Sequence, residues 1–392
     1  MTPTLSEVLA RVCTLLQLTE AQSSLRIPAP RRTLDGVATS RAAADPQARV
    51  GSFRCRSVLA LCFAALIWAA SPAAAQTYTI TDLGTLGTNS RGSYSQAFCI
   101  NSSGQVAGQS SASSTSTTDP AFLYSNGQLT SLGTLGGEYG QARGINTSGQ
   151  VAGYSTLASG SYRAFLYTGG QMTDLGTLGA DYSAAYALND AGQVVGVSEK
   201  VAGQENAFLY SNGQMTDLGT LGGTSSTAYG INNQGVIVGY SYNTAGNFLG
   251  FIYQNGTMTA LGTLGGSWSI AYAINDQNQI TGQAYTKKNR TAHAFRYTTG
   301  TMVDLGALGG SSSYGSAINN SGTVVGLSTI RNGSYHAFIS TKGGKMQDLN
   351  NMILTGTGWV LEEGAGINDA GQITGYGTLN GRLHAFLLTP AH

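Results

Sequence analysis

Short apolar segments separated by turns run along the chain from about residue 78 onward. Within residues 185–220, "AYALN" and "QVVGVS" flank "NDAGQ", and "AFLY" and "QMTDLGT" flank Asn212-Gly213. An Asn-Gly pair between two such segments is a strong hairpin signal. Gly192 stands where a type I turn followed by a left-handed residue requires glycine. The pattern predicts four short antiparallel strands in this stretch.

The four-strand pattern recurs at intervals of mostly 43 or 44 residues, and three landmark residues each occur seven times. An Asn ends an apolar segment in each repeat, and we number repeats 1 to 7 by these residues: Asn101, Asn146, Asn189, Asn232, Asn275, Asn319 and Asn368. A Phe follows Ala or Gly: Phe122, Phe165, Phe208, Phe251, Phe295, Phe338 and Phe386. A Leu stands mostly in "DLG": Leu83, Leu132, Leu175, Leu218, Leu261, Leu305 and Leu349. Four strands in 40–45 residues is typical of a propeller blade.

The two ends of the repeat region are complementary. The region opens with "YTITDLGTLG", a fourth strand with no blade before it, and closes with "HAFLLTP", a third strand with no fourth after it. We therefore predict an all-β fold, a seven-bladed β-propeller of four-stranded blades in which the N-terminal strand completes the last blade. Residues 79–83 are expected to pair with residues 384–387. An open β-solenoid is the alternative, but it needs no such complementarity and leaves open edges.

The first 75 residues have a different character, with eight of the 20 basic residues and three of the four cysteines. Arg54 and Arg56 precede an apolar run over 58–70, and the small residues of "SPAAA" follow. This pattern predicts a secretory signal peptide over 50–75, cleaved before Gln76. A transmembrane helix is the alternative, although the run is short for a bilayer core of roughly 30 Å. Residues 1–49 are expected to be disordered or a non-native extension before a start near Val50.

Charge and cysteine content narrow the class of partner for residues 76–392. This region contains 12 basic and 15 acidic residues without a basic stripe, so nucleic acid is not an expected partner. Cys99 is its one cysteine, which excludes a disulfide within the domain. We expect a secreted or periplasmic domain with no membrane span after signal cleavage, and an extracellular glycan, polymer or protein as partner.

The repeat also resembles a known family. "HAF" occurs at 293–295, 336–338 and 384–386, and it accompanies "GINDAGQITGYG" and "DLGTLGG". With these motifs, residues 78–390 resemble the HAF-type bacterial extracellular repeat family. The resemblance implies an exported bacterial protein and no assigned activity.

Motifs that are typical of phosphate or metal sites have structural explanations. No helical period follows the "GTLGG" runs, so they lack the helix N-terminus of a phosphate-binding loop. His293, His336 and His384 occupy equivalent positions in neighbouring repeats, about 10 Å apart if sheets are packed face to face, which is too far to share a zinc ion. Local capping of backbone N–H groups is expected for the isolated aspartates of "DLG": Asp82, Asp174, Asp217, Asp304 and Asp348. We expect no metal and no cofactor.

The candidate ligand-binding residues lie in the segments that differ most among repeats. These are the loops from strand two to strand three and from strand four to strand one, which should emerge on one side that we call the variable face. Loops on a rigid scaffold commonly bind ligands. The candidate residues are aromatic and suit stacking on sugar rings: Tyr94, Tyr139, Tyr182, Trp268 and Trp359. The alternative is that these rings cover the junctions between blades.

Three functions remain open from the sequence. The first is an exported propeller that acts as a binding or surface-interaction module. The second is an extracellular glycan hydrolase or lyase, for which the acidic candidates are Glu362, Glu363, Glu138 and Asp181. Hydrolysis would require two carboxylates about 5–9.5 Å apart in a pocket. The third is a structural envelope protein without a ligand.

Overall fold

Strands make up nearly all the regular structure of the protein, a computed structural model that describes residues 76–87, 93–112 and 118–391. Two short 3-10 helices, Lys287–Asn289 and Leu349–Asn351, are the remaining regular elements of these ranges. None of the helices in these ranges has the length and apolar character needed to cross a membrane. The expected extension, 1–49, and signal peptide, 50–75, lie outside the described residues.

Each sequence repeat folds into an antiparallel group of strands in chain order. Repeat 1 contains β2 (Ser95–Ile100), β3 (Val106–Ser110), β4 (Ala121–Ser125) and β5 (Gln128–Gly133). Repeat 2 contains β6 (Gly136–Ile145), β7 (Val151–Leu157), β8 (Tyr162–Thr168) and β9 (Gln171–Asp174). Repeat 3 contains β10 (Ser183–Leu188), β11 (Val194–Val201), β12 (Gln204–Ser211) and β13 (Gln214–Asp217). Repeat 4 contains β14 (Gly222–Ile231), β15 (Ile237–Asn243), β16 (Phe248–Gln254) and β17 (Thr257–Ala260).

The remaining repeats continue the same order. Repeat 5 contains β18 (Gly265–Ile274), β19 (Ile280–Thr286), β20 (Ala292–Thr298) and β21 (Thr301–Gly306). Repeat 6 contains β22 (Gly309–Ile318), β23 (Val324–Ile330), β24 (Tyr335–Ser340) and β25 (Gln347–Asp348). Repeat 7 contains β26 (Trp359–Ile367), β27 (Ile373–Leu379) and β28 (Arg382–Pro390). A parallel contact between Ala292 and Ser312 joins repeats 5 and 6 into one eight-stranded sheet, and the other repeats form separate four-stranded sheets.

The fourth strand of the repeat 7 sheet comes from the start of the domain. Strand β1 (Tyr78–Asp82) pairs antiparallel with β28, from Tyr78 opposite Pro390 to Asp82 opposite Phe386. The backbone N–H of Leu83 extends the pairing by donating to the carbonyl oxygen of Ala385 at 3.1 Å. The pairing predicted from the two chain ends is therefore present.

The landmark Phe forms the centre of the packing between neighbouring sheets. All seven of these phenylalanines are fully buried: Phe122, Phe165, Phe208, Phe251, Phe295, Phe338 and Phe386. Phe208 of repeat 3, for example, shares a cluster with Ala152 and Leu175 of repeat 2 and with Ala185 of its own first strand. Burying a Phe contributes about 1.5–3 kcal/mol. The small residues of strand one leave room for this ring.

The landmark Asn connects the repeats through side-chain hydrogen bonds. Within repeat 3, Asn189 Oδ1 accepts from the backbone N–H of Gln193 at 3.0 Å and so caps the turn. Asn189 Nδ2 also donates to the carbonyl oxygen of Asn232 in repeat 4 at 3.2 Å. The same donation links each landmark Asn to the next, 2.7–3.2 Å, and Asn368 donates in turn to Asn101 at 3.1 Å. The series of bonds thus returns to its first residue.

The predicted turn glycines have the backbone conformation that the turns require. Gly192 and Gly213 have φ values of +74° and +79°, and Asn212 has a φ of +53°. A positive φ at both central residues defines the type I′ hairpin, which Asn-Gly favours. The turn assignments made from the sequence are confirmed.

Candidate binding cavity and variable face

A β-bulge in the first strand of every repeat directs one side chain into a common cavity. In repeat 3 the pairing of β10 with β11 skips Tyr186, between Ala185 and Ala187. Bulges of this kind re-aim a side chain. The skipped residue stands three positions before the landmark Asn in each repeat: Phe98, Arg143, Tyr186, Tyr229, Tyr272, Ser316 and Ala365. All seven line one cavity of about 610 Å³, which we call the belt cavity.

A glycine in the second strand makes room for each bulge. A Cβ atom on Gly196 of β11 would stand 2.0 Å from the carbonyl oxygen of Ala184 in β10, a distance that backbone atoms do not tolerate. The same contact, 1.9–2.0 Å, recurs at Gly108, Gly153, Gly196, Gly239, Gly282, Gly326 and Gly375. A glycine inside a strand commonly marks such a close approach. This glycine was the one sequence signal for the bulge, and sequence reasoning missed it.

Tyrosine rings form one side of the belt cavity. The ring centroids of Tyr186 and Tyr229 are 5.0 Å apart, those of Tyr229 and Tyr272 are 5.3 Å apart, and those of Tyr272 and Tyr314 are 5.9 Å apart. Burial raises the pKa of all four phenols, and with the nearby charge of Glu363 it raises that of Tyr272 to about 12. These phenols therefore remain neutral hydrogen-bond donors at neutral pH.

Glu363 is the acidic group of this cavity. It is 9% exposed. Its Oε2 accepts hydrogen bonds from the hydroxyls of Tyr314 and Tyr376, at 2.8 and 2.7 Å, and its Oε1 accepts one from Ser316 at 2.7 Å. Glu363 lies in strand β26 together with Glu362, and not in a variable loop as the sequence suggested. The reason is that strand one of repeat 7 already begins at Trp359, opposite Leu379 of β27.

Arg143 is the basic group of the cavity. Its guanidinium carbon lies 4.7 Å from the ring centroid of Phe98 and 5.8 Å from that of Tyr186. Its one hydrogen bond within the described residues is a long one, 3.5 Å, to Gln141 Oε1. Phe98 in turn contacts Tyr376 edge to face at 6.3 Å.

The contacts of these side chains form a closed circuit that we call the belt. Its members are, in order, Phe98, Arg143, Tyr186, Tyr229, Tyr272, Tyr314, Glu363 and Tyr376. Arg143 and Glu363 are the charged residues among those that line the cavity. Neither makes an ion pair with any residue in the described part of the chain. The cavity thus contains an unpaired positive charge and an unpaired negative charge.

The variable face carries a second pocket where the loops of repeats 1 and 2 meet. The backbone N–H of Asp119 donates to the carbonyl oxygen of Glu138 at 2.8 Å, which holds the two-to-three loop of repeat 1 against the start of strand β6, where the sequence had predicted a loop. The pocket, about 460 Å³, is lined by Glu138, Tyr139, Ser159 and Tyr162 among others. Tyr162 is 38% exposed, and Tyr139 is half-buried. Two residues expected from the sequence, Glu138 and Tyr139, therefore line one pocket.

Ring contacts connect this pocket to the belt. Tyr139 stacks on Tyr154 at 6.0 Å and meets Tyr162 edge to face at 5.8 Å. Tyr154 contacts Tyr186 of the belt at 6.2 Å. Burial raises the pKa of the Tyr139 phenol, whose hydroxyl donates to Gln109 at 3.1 Å. Tyr139 is thus fixed by its neighbours while it lines the pocket.

The other aromatic candidates are half-buried and distributed around the molecule. Trp268 stacks on Phe248 at 5.1 Å and contacts Tyr285 at 4.5 Å. Trp359 meets Phe386 edge to face at 6.0 Å, within the packing of repeat 7. Tyr94 and Tyr182 are half-buried in their four-to-one segments. The structure brings none of these four rings into the pocket of Tyr139.

The acidic candidates stand in separate environments. Asp181 is exposed and accepts hydrogen bonds from Arg163 and Ser161, at 2.5 and 2.7 Å, and these bonds lower the pKa of its carboxyl, that from Arg163 most. Burial raises the pKa of Glu362, against the opposing effect of His336. Glu138 is exposed in the variable-face pocket, and Glu363 belongs to the belt.

The repeated His and Asp residues pair with each other. His293 Nδ1 lies 2.9 Å from Asp304 Oδ1, which also accepts from the backbone N–H of Gly306 at 2.7 Å. Equivalent pairs join His336 to Asp348 at 2.6 Å and His384 to Asp82 at 3.0 Å. The backbone capping expected of the "DLG" aspartates is confirmed, and each histidine supports it.

Comparison with known proteins identifies the fold class. No protein-family model matches the chain, and no curated protein sequence matches it. Among solved structures it is similar to the β-propeller domain of the trilobed protease from Pyrococcus furiosus, with 12% identity and a TM-score of 0.53 over 76% of this chain and 97% of that chain. It is also similar to a puromycin-hydrolysing peptidase from Mycobacterium tuberculosis, with 11% identity and a TM-score of 0.49 over 73% of this chain and 49% of that chain. A third is TolB from Acinetobacter baumannii, with 13% identity and a TM-score of 0.40 over 62% of this chain and 64% of that chain. The first similarity shows that the fold is a β-propeller.

Proposed function

We propose that residues 76–391 form a closed seven-bladed β-propeller, one blade per repeat, of the HAF-type extracellular class. Three observations support closure. Strand β1 supplies the fourth strand of the repeat 7 sheet. The landmark Asn hydrogen bonds return from Asn368 to Asn101. The belt contacts also return to Phe98 through Tyr376. Closure leaves no open edge between the first and last repeats, and open edges promote aggregation.

The function that we propose for this propeller is binding of an extracellular polymer, with a glycan as the ligand class, at the variable face. The observation that carries the proposal is the pocket of about 460 Å³ lined by Tyr139, Tyr162 and Glu138. A sugar presents an apolar ring face and a rim of hydroxyls. Tyrosine rings suit the ring face, while Glu138 and Ser159 offer hydrogen bonds to the hydroxyls. The rigid sheets beneath hold these groups in place.

Glycan-array binding of the purified domain tests this proposal. Replacing Tyr139 and Tyr162, the two rings of the pocket, together by Ala should weaken binding roughly tenfold to a hundredfold, because each stacked ring contributes about 0.5–1.5 kcal/mol beyond its burial. Gln214→Ala, an exposed change at the start of β13 and next to the turn between strands three and four, should bind as the wild type does and serves as the control. Loss of binding only in turn variants would place the site on the opposite face.

The same assay separates the alternatives. Release of reducing sugar from a bound glycan, abolished by Glu138→Gln with binding retained, would make the protein a hydrolase. Absence of binding to any glycan or polymer would favour a structural envelope role.

Export is part of the proposal and has its own test. The Arg-flanked apolar run over 58–70 and the small residues before Gln76 motivate it. Mass spectrometry of the periplasm and medium should find a mature N-terminus at Gln76. Soluble cytoplasmic protein that retains residues 51–75 would contradict export.

A further inference from the structure

The belt cavity has a charge pattern that the variable-face proposal does not use. Its wall holds Arg143 and Glu363, and neither is paired with an opposite charge in the described residues. We propose that this cavity is a second binding site, which takes a small dipolar ligand with an anionic end at Arg143 and a cationic end at Glu363.

Arg143 is arranged to bind an anion. Its guanidinium is held against Phe98 and near Tyr186, at 4.7 and 5.8 Å, so its orientation is limited before any ligand arrives. A guanidinium has five N–H donors in a planar fork that matches a carboxylate. The single long bond to Gln141 leaves most of these donors available.

Glu363 is arranged to bind a cation. Hydrogen bonds from Tyr314, Tyr376 and Ser316 fix its carboxylate, and all three donors are neutral hydroxyls that leave its charge uncompensated. A carboxylate offers about four acceptor positions, so one position remains for a ligand donor. The hydroxyl of Tyr314 donates to this carboxylate, the ring of Tyr272 lies 5.9 Å from that of Tyr314, and aromatic faces attract cations.

The two charges together favour a dipolar ligand over a singly charged one. A charge that a bound ligand removes from water is stable when an opposite charge compensates it. A simple cation would leave Arg143 uncompensated, and a simple anion would leave Glu363 uncompensated. Phe98 and Tyr376 separate the two charged residues along the belt, so the charges of the ligand must also be apart.

The cavity is large enough for such a molecule. Its volume of about 610 Å³ lies within the range of roughly 300–1,000 Å³ that is usual for small-molecule pockets. The rings of Tyr186, Tyr229 and Tyr272 provide an apolar surface between the two charges. A short peptide with both termini free has this distribution of charge and apolar surface.

Isothermal titration calorimetry with the peptide Gly-Phe-Gly tests the proposal on the wild-type domain. The free peptide should bind, while its N-acetylated form and its C-terminal amide should each bind at least tenfold more weakly. Equal affinity for the three forms, or no binding of the free peptide, would overturn the proposal. This series needs no variant, so it decides the matter even if a cavity variant fails to fold.

Variants assign the two ends of the ligand. Arg143→Gln should weaken binding of the free peptide at least tenfold and leave the already weak affinity for the amide unchanged. Glu363→Gln should also weaken binding of the free peptide at least tenfold, and it should leave the already weak affinity for the acetylated peptide unchanged. A structural role alone would change all three affinities equally, and that result would overturn the assignment. Glu138→Gln, in the variable-face pocket, should leave peptide binding unchanged, which separates this site from the proposed polymer site.

Discussion

At the residue scale, the two hydrogen bonds of its side-chain amide explain why an Asn stands at this landmark position in every repeat. The oxygen of Asn189 caps its own turn, and the nitrogen bonds to the backbone of the next repeat. The bond between repeats is buried, as is the side chain of Asn189, which is 4% exposed. Aspartate would supply the acceptor without the donor, and alanine would supply neither. Only an amide on a short side chain satisfies both requirements.

Replacing Asn189 by Ala should therefore lower the free energy of unfolding by about 1–3 kcal/mol, because the N–H of Gln193 loses its side-chain acceptor and the carbonyl of Asn232 keeps only the N–H of Gly235. Asn332→Ala is the matched control, since Asn332 is exposed and caps only its own turn, at Ser334. Urea denaturation of both variants measures the difference. An equal, small effect of the two changes would show that the bond between repeats adds no stability.

At the element scale, a pair of features in strands one and two creates the cavity lining. The bulge turns Tyr186 toward the cavity. Gly196 in the facing strand has no Cβ atom and so leaves space for the carbonyl oxygen of Ala184. The requirement at Gly196 is steric, whereas that at Gly213 is conformational, with a φ of +79° and open space around its Cα. Glycine is thus required at these two repeated positions for different physical reasons.

The two glycines should differ in their tolerance of alanine. Gly213→Ala should cost roughly 1 kcal/mol of unfolding free energy, because the strain is confined to the backbone conformation. Gly196→Ala should cost more, because the new Cβ forces the strands apart, and overpacking of this kind typically costs about 1–3 kcal/mol or more. Thermal and urea unfolding compare them, and a smaller cost at Gly196 would contradict the bulge argument.

At the scale of the whole molecule, the stability of the fold at low pH depends on carboxylates that accept hydrogen bonds from neighbouring repeats. Burial raises the pKa of Asp190, but hydrogen bonds from Thr147 and Asn233 outweigh it and leave the pKa below its ordinary value. A group with a lowered folded-state pKa contributes stability above its unfolded pKa, about 3.9 for Asp. That contribution is lost as the pH falls below this value toward the folded-state pKa.

We therefore expect the wild-type protein to lose stability below about pH 4 more steeply than Asp190→Asn does. Denaturant midpoints measured from pH 2 to 7 for the two proteins provide the comparison. Parallel pH curves would mean that Asp190 has the same pKa in the folded and unfolded chain.

The proposed closure of the propeller can also be tested at this scale. Removing residues 76–86 takes away β1, exposes the edge of β28 and uncovers the packing around Tyr78 and Leu83, which are 3% and 5% exposed. We expect a lower melting temperature and aggregation, compared with a chain that starts at Gln76. Cooperative melting of both proteins at the same temperature would contradict closure.

The sequence by itself determined the repeat, the strands, the turns and the pairing of the chain ends. These features depend on local rules: alternation along a strand, a positive φ at Asn212-Gly213, and an interval between landmarks that is mostly 43 or 44 residues. The sequence also singled out Glu138 and Tyr139, which the structure places in strand β6 and not in a variable loop, and their part in binding remains a prediction. The export signal and the family resemblance remain predictions.

Only the tertiary structure decided the belt cavity and the chemistry of Glu363. A bulge changes which side of a strand a residue faces, and period-two alternation cannot show where that change occurs. Repeats 6 and 7 carry Ser316 and Ala365 at the bulge position, and this leaves space for Tyr314 and Glu363 to enter the belt instead. The hydroxyl of Tyr314 reaches Glu363 from the neighbouring repeat, 49 positions away in the chain. Contacts of that kind depend on how the sheets pack against one another, which no local pattern encodes.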